Sequence, residues 1–263
     1  MGTVTYRDGI AILQLIIFPF ILVAALFIWK RTGWRVGSKI WRFPFTLSLL
    51  RIAGSICSLL TIDHDSYNVE VAVAVCELIG IAPLLLTYIG VLRQIDTEER
   101  IPPRVMKLAT LVALVGLILG IAGVSSADDS EGTYHADTIV KVSMAIFIVI
   151  FVLYHLIAGW LFLQLASLTK MRRFQKKLFL AIALSSPFIL VRLVYSALSD
   201  YTTDAKFSVI GGNTTVYLVM NVLEEIAAMI ITMVLGMGAV MESDFVKLAP
   251  QSSSEQVNKV ESV

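Results

Sequence analysis

Five charged side chains stand inside long apolar stretches of the chain, where ionic groups are rare. They are two arginines and three glutamates: Arg51, Arg192, Glu77, Glu224 and Glu225. A charge near the centre of a membrane-spanning helix costs about 2.5–3.5 kcal/mol unless it faces a partner or a water-filled cavity. These residues therefore predict either ion pairs between helices or a polar pocket inside a helical bundle.

The balance of these charges favours a pocket with acid chemistry. Three carboxylates against two guanidiniums leave one carboxyl group without a cationic partner, and burial favours its neutral, protonated form. Such a group can act as a general acid, so Glu77, Glu224 and Glu225 are the predicted catalytic residues. Helical spacing from Arg192 and Glu225 adds a tyrosine and an asparagine, and the predicted lining of the pocket is Arg51, Arg192, Tyr195 and Asn221. Simple pairing of the charges to hold helices together is the alternative.

The elements that carry these residues are predicted to be membrane-spanning helices. The chain of 263 residues is 57% hydrophobic and only 16% charged, with a mean hydropathy of +0.82. Soluble domains are about 45–50% apolar and about 25% charged. Stretches of ~20 apolar residues predict an all-α, seven-transmembrane-helix bundle over 1–241 and a disordered tail over 242–263. The predicted spans are 10–29, 41–62, 69–92, 105–124, 138–168, 178–199 and 216–241.

Basic residues predict the orientation of the bundle. The connections 30–42, 93–107 and 170–177 hold fourteen lysines and arginines, against three on the opposite side. Positive residues favour the cytosolic face, which predicts an outer or lumenal N-terminus and a cytosolic C-terminus in the endoplasmic reticulum or plasma membrane. The Asn213-Thr214-Thr215 sequon then falls on the outer side as a possible glycosylation site. At ~1.5 Å per residue, the five buried charges share the outer half to centre of the bundle.

Several familiar membrane and enzyme classes are disfavoured. The last span has no lysine, which disfavours a retinal Schiff base. The third span ends in Leu92-Arg93-Gln94 rather than Asp/Glu-Arg-Tyr, and the last span has no Asn-Pro-x-x-Tyr, which disfavours a rhodopsin-like receptor. No Asp-rich diphosphate-binding motif lies on a helix, which disfavours metal-assisted ionisation of a prenyl diphosphate. No metal, cofactor or nucleic-acid partner is predicted. His155 is interpreted as a hydrogen-bonded structural residue, and residues 63–65 (Asp-His-Asp) as a solvated cap rather than a metal site.

Four segments resemble a family of filamentous-fungal seven-span proteins that carries a domain of unknown function. The segments are RIAGSICSL in span 2, ELIGIAPLLL in span 3, PFILVRLVYS in span 6 and EEIAAMIITMVLG in span 7. The resemblance covers roughly residues 5–245 and implies a fold and a fungal source. In size, span count and intramembrane carboxylates the chain is also similar to fungal membrane-bound meroterpenoid cyclases, although their motifs do not align with it.

Three functions follow as competing hypotheses. The first, and the one favoured, is a metal-independent terpene or meroterpenoid cyclase of secondary metabolism, in which a protonated glutamate opens an epoxide or protonates an alkene of a prenylated substrate. Tyr195 and Trp160 would then stabilise developing cations. The second is a receptor or sensor that binds a lipophilic ligand and meets a cytosolic partner through its basic loops. The third is a structural or transport accessory protein. In each case membrane lipid is a partner.

Overall fold

The structure is a computed structural model that describes residues 5–38, 40–60, 80–125, 138–167, 171–202 and 213–246. This part of the chain is helical and contains no strand. Its helices are α1 (Tyr6–Thr32), α2 (Trp34–Gly37), α3 (Arg42–Leu60), α4 (Ile81–Ile95), α5 (Pro103–Ser125), α6 (Thr138–Ser167), α7 (Arg173–Tyr201) and α8 (Thr214–Val240). The all-α prediction is confirmed for the described residues.

Six of these helices are long and apolar enough to cross a membrane: α1, α3, α5, α6, α7 and α8. Large apolar side chains cover their outer faces; Phe20 is 75% exposed and Leu163 is 69% exposed. Such a surface is unfavourable in water and suits the hydrocarbon of a bilayer. The fold is therefore compatible with a multi-pass membrane protein. The predicted span 69–92 corresponds in part to α4, an apolar helix of 15 residues. Residues 69–79 of that span lie outside the described ranges.

Polar caps extend several helices beyond their apolar stretches. At the start of α1, the backbone N–H and the hydroxyl of Thr5 donate to Asp8 Oδ2 at 2.6 and 2.7 Å. At the start of α8, Asn213 Oδ1 accepts from the N–H of Thr215 at 3.0 Å. The Asn213 cap satisfies a helix N–H group that has no partner within the helix, and the Thr5–Asp8 bonds hold the residue that precedes α1. They explain why both helices begin a few residues before the predicted spans.

Helix α4 lies at the centre of the bundle. Every residue from Ile81 to Ile95 except Arg93 is buried, as expected of a helix that is apolar on all sides. It packs against α3, α5, α6 and α7, and Tyr88 Oη lies 2.7 Å from Thr232 Oγ1 of α8. Around it, the most extensive packing is between α1 and α3, between α5 and α6, and between α7 and α8.

The ends of α4, α7 and α8 meet at one end of the bundle. Gln94 Nε2 donates to the carbonyl of Val246 at 3.0 Å, and Gln175 Nε2 donates to the carbonyl of Ile95 at 2.8 Å. Residues 242–246, the first of the predicted tail, therefore lie against the bundle, and the rest of that tail is outside the described residues. The basic connections 93–107 and 170–177 both reach this end.

Candidate functional site

Three of the charged residues singled out from the sequence form one buried ion cluster, which consists of Arg51, Arg192 and Glu225. Arg51 of α3 donates from Nε to Glu225 Oε1 at 2.5 Å and from Nη2 to Oε2 at 2.6 Å. Arg192 of α7 pairs through Nη1 with the same carboxylate. The three side chains are 1–3% exposed. The ion cluster thus joins α3 to α7 and α8, which follow much later in the sequence.

The geometry of the ion cluster is that of a stabilising contact. A guanidinium that donates two bonds to one carboxylate is a strong, directional pair. Removing charges from water is costly, and the cost is offset only where the charges are closely paired and hydrogen-bonded. Glu225 accepts from both arginines, so within the described residues its carboxylate serves as their shared acceptor. This arrangement fits helix pairing better than proton donation to a substrate.

Gly80, immediately before α4, packs directly on both guanidiniums. A β-carbon at this position would lie 2.7 Å from Arg192 Nη2 and closer still to Arg51 Nη2. These separations are shorter than a van der Waals contact, so a side chain here would displace the guanidiniums from their present positions. Glu77, the third carboxylate predicted from the sequence, stands three residues before Gly80 and lies outside the described residues.

Glu224 is next to Glu225 in the sequence but is not part of the ion cluster. Its side chain is half-buried, and its Oε2 is enclosed without a hydrogen-bond partner in the described part of the chain. The two adjacent glutamates therefore have different surroundings: one is bound by two arginines and the other keeps a buried oxygen without a donor. The sequence gives no means of telling them apart.

A π-helical segment, Leu218–Leu223, precedes Glu224 within α8. Asn221 lies in this segment and is 3% exposed, and its carbonyl accepts from the backbone N–H of Glu224. π-Helical turns are rare and often occur at functional sites. The wider turn changes the angular offset between Asn221 and Glu225 from that of the α-helix assumed for the sequence. Tyr195 is fully buried in α7, three residues after Arg192.

Beside the ion cluster, a small cavity lies between α1, α3 and the start of α8. The cavity that reaches Arg51 has a volume of about 10 Å³, the lower limit for one water molecule. Among the described residues, no three His, Cys, Asp or Glu side chains gather in a group that would hold a metal ion. The Asp-His-Asp triplet at 63–65 lies outside the described residues.

A large cavity in the described part of the chain lies elsewhere, between α6 and α7. We call it the α6–α7 groove. Its volume is about 850 Å³, and it is walled mainly by apolar side chains: Ala158, Phe162, Leu165, Met171, Phe179, Leu180 and Ile182. None of the predicted site residues that the structure describes lines it. The sequence carries a weak signal for it, because small residues on both helices, Gly159 and Ala183 among them, leave space between the two backbones.

A hydrogen-bonded polar pair, His155 and Ser186, lines the α6–α7 groove. His155 Nδ1 lies 2.9 Å from the Phe151 carbonyl, and His155 Nε2 lies 2.6 Å from Ser186 Oγ. A carbonyl can only accept, so Nδ1 carries the proton and Nε2 of a neutral ring is the acceptor. The pair gives an otherwise apolar groove one directional binding point.

Comparison with known proteins identifies the family of the chain. Neither a curated protein nor a solved structure matches it. One family model matches residues 4–242, nearly the whole length, and its description is a domain of unknown function, DUF7702. The prediction of a domain-of-unknown-function family is thereby confirmed, and its extent agrees with the predicted 5–245. The chain belongs to the DUF7702 family.

Proposed function

We propose that this protein binds a lipophilic small molecule in the α6–α7 groove. The observation that carries the proposal is the groove itself, with its volume of about 850 Å³, its apolar walls and one hydrogen-bonding pair. Small-molecule sites are typically cavities of ~300–1,000 Å³, mostly apolar with a few polar groups that fix orientation. A ligand dissolved in the bilayer would reach such a site directly from the lipid.

The position of the groove supports a receptor or sensor. It is formed by the C-terminal half of α6 and the N-terminal half of α7, and Lys176 at its edge belongs to the basic connection 170–177. Under the proposed topology of seven spans with an outer N-terminus and a cytosolic tail, this connection faces the cytosol of the endoplasmic reticulum or plasma membrane. A ligand in the groove would then lie beside the residues available to a cytosolic partner.

A photo-crosslinking experiment tests the proposed binding. The full chain in phosphatidylcholine nanodiscs is irradiated with an alkyl diazirine probe, and labelled peptides are mapped. We expect labelling of Ala158–Ala166 and of residues 179–186 above the level on other lipid-facing helices.

A variant that fills the groove provides the control for this experiment. A β-carbon at Gly159 would meet no atom within 4 Å, so Gly159→Trp should fill the groove without disturbing the fold and should abolish the excess labelling. Val149→Trp places the same side chain at another exposed site on α6 and should leave labelling unchanged. Equal labelling in the wild type and both variants would contradict ligand binding in the groove.

A second candidate is the acid-catalysed cyclisation predicted from the sequence, with Glu224 as the acid. The enclosed Oε2 of Glu224, which has no donor in the described part of the chain, favours it over Glu225 for this role. The similarity to fungal meroterpenoid cyclases in size, span count and intramembrane carboxylates is the reason for proposing this chemistry and a fungal source. Feeding epoxidised prenyl-phenols to a host that expresses the chain tests it. A new isomer of unchanged mass that disappears in Glu224→Gln would support cyclisation, and absence of any product would contradict it.

A further inference from the structure

The α6–α7 groove has polar groups at two places separated by a long apolar wall. Lys176 and Ser186 both line it and stand ten residues apart on α7. At ~1.5 Å per residue, their backbone positions are about 15 Å apart along the helix axis. The side chains between them on the groove wall are apolar, chiefly Phe179, Ile182 and Ala183. A ligand that uses both polar positions must therefore be an extended amphiphile.

The polar position deeper in the groove, the His155–Ser186 pair, has more hydrogen-bond acceptors than side-chain protons to donate to them. The single hydroxyl proton of Ser186 has two acceptors within 2.6 Å, His155 Nε2 and the Ile182 carbonyl. In addition, Pro187 has no N–H to give the carbonyl of Ala183 its helical hydrogen bond. The Ala183 carbonyl therefore lacks its helical donor, and Nε2 of a neutral His155 lacks one whenever the Ser186 hydroxyl donates to the Ile182 carbonyl. A ligand that donates a hydrogen bond is favoured over one that only accepts.

The polar position at the edge of the groove, Lys176, carries a positive charge. Lys176 is exposed and forms no ion pair within the described part of the chain, whereas its neighbour Lys177 is bound to Glu242 at 2.5 Å and to the Gly238 carbonyl at 3.1 Å. Lys176 is thus available to an anionic head group at the edge of the groove, and Lys177 is already engaged. This difference assigns the two adjacent lysines different roles.

We infer that the ligand of the α6–α7 groove is a long-chain hydroxy acid, with an acidic head group at Lys176 and a hydroxyl group that donates to the His155–Ser186 pair. This inference rests on the proposed binding function. A carbon–carbon bond of about 1.5 Å and a bond angle of about 111° advance an extended chain by about 1.25 Å per bond. The separation of 15 Å then places the hydroxyl about twelve carbons from the acid.

Competition binding tests the ligand class. Tritiated 12-hydroxyoctadecanoic acid is bound to the full chain in phosphatidylcholine nanodiscs and displaced by unlabelled relatives. Octadecanoic, 12-oxo-octadecanoic and 2-hydroxyoctadecanoic acids lack the correctly placed donor and should bind about threefold to tenfold more weakly, the effect of one hydrogen bond. Methyl 12-hydroxyoctadecanoate lacks the charge and should bind about fivefold more weakly.

Matched variants connect these preferences to the residues. His155→Phe removes the acceptor and should abolish the preference for the hydroxy acid over the oxo acid, whereas Ser186→Ala leaves Nε2 available and should keep it. Lys176→Gln should reduce the difference between acid and methyl ester, and Lys107→Gln, an exposed lysine on α5, should not.

The outcomes separate the inference from the proposed function. Equal displacement by all four relatives, together with alkyl diazirine labelling that Gly159→Trp abolishes, would overturn the hydroxy acid and keep a lipophilic ligand in the groove. Tighter binding of the oxo acid, lost in Ser186→Ala, would overturn the donor assignment. Absence of both saturable binding and groove labelling would overturn both proposals.

Discussion

Replacing Glu225 with glutamine should lower the stability of the protein more than the same change at its neighbour. Glu225→Gln keeps the shape of the side chain but removes the charge that Arg51 and Arg192 share inside the bundle. Breaking a buried ion pair by removing one partner costs about 3–5 kcal/mol. At about 2–4 °C per kcal/mol for a chain of this size, the unfolding midpoint should fall by about 6–20 °C.

The adjacent carboxylate provides the matched control for this prediction. Glu224 Oε2 has no hydrogen-bond partner in the described structure, so Glu224→Gln removes no such contact and should lower the unfolding midpoint far less than Glu225→Gln. Each variant is heated in detergent over a range of temperatures, and the remaining monodisperse protein is measured by size-exclusion chromatography. The midpoint is the temperature at which half of that protein is lost. Equal midpoints for the two variants would refute the argument that the ion cluster stabilises the fold.

Three further substitutions test the packing and caps around the site. Gly80→Ala should lower the unfolding midpoint, because the new methyl group would lie 2.7 Å from a nitrogen of Arg192; an unchanged midpoint would contradict this packing. Tyr88→Phe removes the hydrogen bond to Thr232 and should cost about 1 kcal/mol in thermal unfolding, whereas a gain in stability would contradict the bond. Asn213→Ala removes the cap of α8 and should cost about 1 kcal/mol, while Asn213→Asp keeps the cap and should not; glycosidase treatment of the wild type shows separately whether this sequon carries a glycan.

Much of the fold follows from hydropathy, because the bilayer imposes its thickness on the length of each apolar segment. The predicted spans 105–124 and 138–168 differ from α5 and α6 by no more than two residues at either end. A larger difference, of four residues, occurs at the start of α1, where the Thr5–Asp8 cap extends the helix. The central position of α4 was not predicted, because the hydropathy of an apolar helix is the same whether the helix faces lipid or protein.

The candidate site was predictable only in part. Intramembrane charge is costly, and this cost drew attention to Arg51, Arg192 and Glu225, which do lie together. It could not separate Glu224 from Glu225, because that difference depends on which residue the π-helical segment turns toward α3 and α7. The α6–α7 groove was missed because a cavity depends on how closely two helices approach, and small residues such as Gly159 and Ala183 indicate it only weakly.

Helix α7 carries both the ion cluster and one wall of the groove, and Pro187 stands between them. On one side of Pro187, Arg192 fixes the helix to α3 and α8 through Glu225. On the other side, one face of residues 176–186 borders the α6–α7 groove, and the missing N–H of Pro187 removes a hydrogen bond from the helix between the two parts. Substitutions in the groove should therefore change ligand binding with little effect on stability. Substitutions in the ion cluster should lower the stability of the fold. The ligand binding of these variants should therefore be measured at temperatures below their lowered unfolding midpoints.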